Sequence, residues 1–233
     1  MSAIPYHSAL IVGAGSGISA SLARLLAAEG LGVGLAARNI EKLTPLAAAT
    51  GAHLFTADAA EPDEAAKLFS AVDAKLGEPD VVIYNASARA QGSLLDLDPE
   101  AVRRAIAVTA FGGFLVAREA ARRMVPRGRG AIFFTGASAS VKGFPRSASF
   151  AMGKFALRGL AESAARELGP KGVHVAHFVI DGVVRGARYP DPPERPDSTL
   201  DPDAIAQAYL DLLAQPRSAW TFEIALRPWV ENF

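Results

Sequence analysis

Val12-Gly13-Ala14-Gly15-Ser16-Gly17-Ile18-Ser19 places three glycines within five residues. A short apolar run, residues 9–12, leads into it, and Ile18, Leu22, Leu25 and Leu26 follow at the spacing of one helical face. A strand that turns through glycines directly into a helix leaves backbone N–H groups free beside the positive end of the helix dipole. Such a turn binds an anion, and a pyrophosphate is the group it fits. The flanking strand and helix carry this reading, since glycines by themselves mark only a tight turn. Gly13, Gly15, Ser16, Gly17 and Ile18 are therefore the expected phosphate-binding residues.

Working outward, short apolar runs alternate with stretches of helical period. Further strands are expected at residues 33–37, 53–56, 81–84, 131–135, 173–180 and 220–226, and helices at 41–49, 62–76, 99–124, 148–168 and 201–214. Gly30 and Gly32 close the first helix, and Pro62 opens the third at the first-turn position, where its missing N–H costs nothing. This alternation predicts an α/β protein with a doubly wound parallel sheet, a Rossmann fold formed as one domain over residues 1–233. The rhythm breaks at residues 188–202, where five prolines sit among charged residues and predict a flap or lid, spanning about 185–202 in all.

The composition narrows the partners. Twenty-four basic residues balance twenty-four acidic ones, with no run of five like charges, so neither nucleic acid nor an anionic membrane is expected as a partner. The chain has no cysteine, which excludes disulfides and thiolate metal sites, and no metal is expected. Residues 1–8 show no basic segment leading into an apolar one, and no apolar run approaches the ~20 residues of a membrane span. A soluble, cytoplasmic protein acting on small molecules is the expectation.

With its glycines at positions 13 and 17, the turn resembles that of the short-chain dehydrogenase/reductase family, and the likeness extends over nearly the whole chain. Val12 stands where the family commonly has threonine, and Ser19 where it has a third glycine; a turn modified by crowding at Ser19 but still able to bind is expected. After the second strand, Ala37-Arg38-Asn39 lacks the carboxylate that selects NAD in Rossmann sites, and Arg38 is placed to pair with the 2′-phosphate of NADP. By resemblance, Asp58 with Ala59 holds the adenine. Asn85-Ala86-Ser87 matches the family's Asn-Ala-Gly, although Asn85 could equally tie neighbouring strands together.

The family transfers a hydride to or from a carbonyl carbon, using a tyrosine proton donor, a lysine, a serine and an asparagine. Phe150-Ala151-Met152-Gly153-Lys154 aligns with its Tyr-x-x-x-Lys, so Lys154 is in place and the tyrosine is replaced by Phe150. Loss of a positioned general acid costs roughly 10²–10⁴ in rate. Ser138 is the candidate serine, with Ser140 behind it, although strict spacing lands on Ala137. Thr109 stands at the asparagine position. Gly182 belongs to the cofactor set, Gly186 occupies a position where threonine is usual, and Asp181, Ser138 or Tyr189 could supply the missing proton, though Asp181 could equally cap its turn. Two readings follow: an atypical NADP-dependent oxidoreductase acting on a small carbonyl, alcohol or imine in a pocket lined by Phe144 and Phe150, or a non-catalytic NADP-binding sensor or scaffold. The resemblance also implies a homodimer or homotetramer, paired through residues 99–124 and 148–168.

Overall fold

The structure, a computed structural model, describes residues 4–231. The reading of residues 1–8 as lacking a leader falls partly outside them. Strand β1 (Ser8–Val12) is buried along its whole length and lies between β2 (Gly32–Ala37) and β4 (Val81–Tyr84), with Val12 level with Ala36 and Tyr84. β3 (His53–Thr56) extends the sheet beyond β2, while β5 (Gly130–Thr135), β6 (Val173–Ile180) and β7 (Glu223–Leu226) extend it beyond β4. All seven strands are parallel, in the order β3-β2-β1-β4-β5-β6-β7.

Because side chains alternate along a strand, each strand feeds two cores. Ala9 and Ile11 face α1 (Ile18–Ala28), α2 (Thr44–Thr50) and α7 (Pro202–Leu213), where Leu22, Leu26, Tyr209 and Leu213 are buried. Leu10 and Val12 face the opposite layer, with α3 (Pro62–Leu76), α5 (Gly112–Arg127) and α6 (Ala148–Leu168), where Phe69, Met124 and Leu157 are buried. The strand order reverses between β1 and β4. Loops leaving the two strand ends diverge there and open a crevice, the usual ligand position in such sheets.

Three elements differ from the periodicity. The helix expected at 99–124 is α4 (Pro99–Ile106), one π-helical turn (Ala107–Phe111) and then α5. The cause is tertiary: the Tyr84 hydroxyl donates to the Val108 carbonyl, drawing it out of the helical ladder. Gly112 must also pass against Tyr84 and the Ala59 backbone, where a Cβ has no room. The helix expected at 41–49 starts as a 3₁₀ turn (Glu41–Leu43) and ends at the left-handed Gly51. The last strand starts at Glu223 rather than 220, because Trp220 stacks on His174 with ring centroids 4.8 Å apart.

The proline-rich segment is knitted together. Arg185 pairs with Asp201 and lies 3.9 Å from both Asp191 and Asp197. The Asp191 carboxylate accepts from the Asp197 N–H at 2.6 Å and from the Thr199 hydroxyl at 2.7 Å. Trp229 of the C-terminal stretch docks on this segment: the Arg195 guanidinium lies 5.7 Å from its ring centroid, and its indole N–H donates to Pro196 O at 3.4 Å. No helix among the described residues is long and apolar enough to cross a membrane.

Candidate functional site

The glycine turn lies at the end of β1. Gly13 adopts φ +83°, and a Cβ there would strike the backbone of Ala86, so no other residue fits. The Gly13 and Ala14 N–H groups both donate to Ala36 O, at 2.9 and 3.0 Å, fixing the turn to β2. At Gly15 and Gly17 a Cβ would meet nothing within 4 Å. These two glycines therefore leave bare backbone facing open space, which is what a phosphate cradle needs. Ser19 does not crowd the turn. It is buried, its hydroxyl accepts from Asn85 Nδ2 at 2.7 Å and donates to Gly13 O at 3.5 Å, and the Asn85 N–H donates to Val12 O at 2.8 Å. Asn85 thus ties the turn to β4.

Three hollows run along the strand ends and share Asn85. The first, about 380 Å³, is lined by Gly13, Ala37, Arg38, Asp58, Ala59 and Ala86. The Arg38 side chain is 71% exposed, and its guanidinium stands 4.0 Å from the Asp58 carboxylate. Asp58 also accepts from the Ala60 N–H at 3.1 Å, so the same carboxylate shapes its own turn. Lys42 lines this hollow too. It belongs to no motif, and only its distance of four residues from Arg38 could have drawn attention to it. The middle hollow, about 420 Å³, lies between Gly15, Ser16, Gly17 and Ile18 on one side and Arg185 to Tyr189 on the other, with Gly186 in that wall.

The third hollow, about 730 Å³, brings together Ser138, Phe144, Phe150, Lys154, Gly182 and Tyr189. Lys154 is only 3% exposed, and its ammonium donates to Thr135 O at 2.6 Å. Burial, aided by the Arg89 guanidinium, pushes its pKa down to about 7. Ser138 opens a 3₁₀ turn after β5 and lines the cavity, whereas Ser140 is fully buried and accepts the Ala137 N–H at 3.1 Å. Thr109, on the π-helical turn, is also fully buried. Its hydroxyl accepts the Ala88 N–H at 3.1 Å and donates to Ala88 O at 3.4 Å, so it is occupied by backbone. Asp181 does not line the cavity; Lys142 and Arg227 approach its carboxylate at 3.5 and 3.4 Å, and its N–H bonds Leu226 O. Gly182 holds φ +155° and is packed against Pro228. One residue that went unremarked in the sequence dominates the mouth of this cavity: Arg89 lies over the Phe150 ring, 3.7 Å from its centroid.

Open backbone at the switch point, cations at one end and a buried lysine at the other fit a dinucleotide laid across the strand ends. The fold and site define a Rossmann-type dinucleotide-binding protein. The family model described as short chain dehydrogenase matches residues 7–187, and this chain belongs to that family of oxidoreductases, which use a nicotinamide cofactor. A short-chain dehydrogenase/reductase of Armillaria gallica is 34% identical over 179 residues, covering 73% of this chain and 68% of the relative. The crystal structure of a short-chain dehydrogenase from Rhodopseudomonas palustris matches with a TM-score of 0.82 at 39% identity, covering 96% of this chain and 99% of that one. A metagenomic short-chain oxidoreductase in complex with NADP matches with a TM-score of 0.85 at 28% identity, over 99% and 100% of the two chains.

Proposed function

We propose that this chain is an NADP-dependent oxidoreductase acting on a small carbonyl, alcohol or imine without a tyrosine as proton donor. The observation that carries the reading is the trough itself, with Arg38 and Lys42 at one end of the bare glycine backbone and buried Lys154 at the other. A solved relative that holds NADP over the same fold supports it. Arg38 and Lys42 would hold the 2′-phosphate, Gly15, Ser16, Gly17 and Ile18 the pyrophosphate, and Asp58 with Ala59 the adenine end; Asn85, Ala86 and Gly182 would shape the trough between. When bound, the cofactor supplies or accepts the hydride.

The rest falls to the chain. Lys154 keeps two N–H groups beyond its bond to Thr135 O, enough to hold a ribose diol. With a pKa of about 7, its Nζ is also a group that gives up a proton near neutrality, where general acids work best. Ser138 would orient the carbonyl oxygen. The non-catalytic alternative is favoured by one observation, the Thr109 hydroxyl being consumed by Ala88, which leaves no relay beyond Lys154. We further propose that the protein works in the cytoplasm, as a homo-oligomer paired through α5 and α6.

The test is a calorimetric titration with NADPH, NADP, NADH and NAD. NADPH and NADP should bind roughly 10- to 100-fold more tightly than their unphosphorylated counterparts, the worth of one or two charge-assisted contacts, and Arg38→Glu should erase that margin. Equal binding of all four would remove the assignment of Arg38, and binding of none would remove the cofactor reading.

A further inference from the structure

Arg89 stands four residues beyond Asn85, exposed at the mouth of the 730 Å³ cavity. It makes no hydrogen bond and no ion pair with any other described residue; its contact is the face of Phe150, 3.7 Å from guanidinium carbon to ring centroid. The Lys154 ammonium lies 5.8 Å from the same centroid. Two cations therefore converge on one aromatic ring, and neither has a carboxylate partner among the described residues. Among the described residues the one acid lining the cavity, Glu231, pairs with neither. Burial and the neighbouring guanidinium both act against the charge on Lys154, so the arrangement costs free energy that an incoming anion would offset.

The chain fixes Arg89 with some care. The residue before it, Ala88, is held at both its N–H and its carbonyl by the Thr109 hydroxyl. The residue after it, Ala90, is held in the same two-sided way by buried Ser149, at 2.9 and 2.7 Å. Ser149 immediately precedes Phe150, whose ring receives the guanidinium. Two positions at which this chain departs from the catalytic pattern of its family, Thr109 and Phe150, thus both bear on Arg89: one holds the backbone of the residue before it and the other faces its side chain. A guanidinium held over a ring face spends none of its N–H groups on that contact, and its N–H fork is the geometry that grips a carboxylate with two parallel bonds.

We propose that the cavity takes a carboxylate-bearing substrate, an oxo acid or the corresponding hydroxy acid, with Arg89 as the residue that anchors the carboxylate and sets specificity. This deepens the oxidoreductase reading, on which it rests. Reduction of such a substrate moves a hydride from the reduced cofactor to the carbonyl carbon and a proton to its oxygen, leaving the carboxylate unchanged on Arg89.

The experiment is a binding titration of NADP-loaded protein, in which oxidised cofactor forbids reduction, with pyruvate and with levulinate, each against its methyl ester. At least one carboxylate should bind roughly 10-fold or more tightly than its ester at low salt, with the margin shrinking as ionic strength screens it. Arg89→Gln should reduce that margin to less than about twofold, while Arg166→Gln, which removes an exposed cation near the C-terminal end of α6 that does not line the cavity, should preserve it. Esters that bind as well as acids, or a margin that survives Arg89→Gln, would overturn the proposal. Repeating the titration on cofactor-free protein separates the two failures: absence of NADP binding defeats the cofactor reading alone, because the acid-over-ester margin still reports on Arg89.

Discussion

At position 150 the family's phenol would serve as proton donor; here a bare ring serves as a platform for a cation. The change is one oxygen atom, and its consequences are separable because Arg89 needs the ring face while proton transfer needs the hydroxyl. Phe150→Tyr restores the hydroxyl without removing the face. On a substrate that the native chain reduces, the variant should gain about 10²-fold in kcat, the lower end of what a positioned general acid contributes, with KM little changed. An unchanged kcat in steady-state kinetics would show that proton transfer does not limit this enzyme. Lys154 stands beside the same ring, with its Nζ 5.8 Å from the centroid.

Among the elements, β6 and β7 carry a charge cluster that the apolar pattern of the strands conceals. His177 is fully buried on β6, with Nδ1 bonded to the Glu223 carboxylate of β7 at 2.9 Å, and Arg158 of α6 closes on the same carboxylate at 2.7 Å. Burial outweighs Glu223 and pushes the His177 pKa down to about 4, with Lys154 and Arg158 of α6 adding to the shift. The folded chain therefore binds fewer protons than the unfolded chain between pH ~6.5 and ~4, and stability falls as pH drops through that window, by up to about 3 kcal/mol. Glu223, held below the usual carboxylate range chiefly by Arg158, acts in the same direction at lower pH. His177→Gln should flatten the larger part of the loss in urea denaturation measured at pH 7 and pH 4.5, and a slope equal to that of the native chain would refute the assignment. The strands themselves were legible because buried parallel strands are apolar runs, and the cradle because a glycine turn between strand and helix is a local signal. What escaped the sequence depends on distant pairs. The π-helical turn is set by Tyr84 acting on Val108, 24 residues away, and the two clamps on Arg89 span 21 and 59 residues. A lone arginine in a loop carries no mark of those partners.

For the whole molecule, the sheet buries one side of α5 and α6 and leaves the other side of the pair facing outward. Between them runs a groove of about 450 Å³ lined by Phe114, Ala117, Ala121 and Val125 of α5 with Leu160 and Ala164 of α6. Phe111 and Phe114 stack at 6.1 Å beside it, and Phe155 is 47% exposed farther along α6. Small residues along both helices allow a second pair of helices to approach closely. Arg118 and Arg122, both paired with Glu119, rim the groove on one side, and Glu167, paired with Lys171, on the other, so the apolar floor rather than the rim is what a second copy turned by a two-fold axis would cover. An apolar face rimmed by polar residues marks an association surface more readily than a solvated one. The expected outcome is a homodimer in sedimentation equilibrium at tens of micromolar, with a Tm that rises with protein concentration. Ala121→Arg, which drives a charged side chain into the groove from a half-buried position at the edge of one core, should yield a monomer whose Tm, lower than that of the native chain, no longer depends on concentration. A native chain that sediments as a monomer would leave this face without a partner, and a dimer that persists in Ala121→Arg would place the contact elsewhere on the molecule.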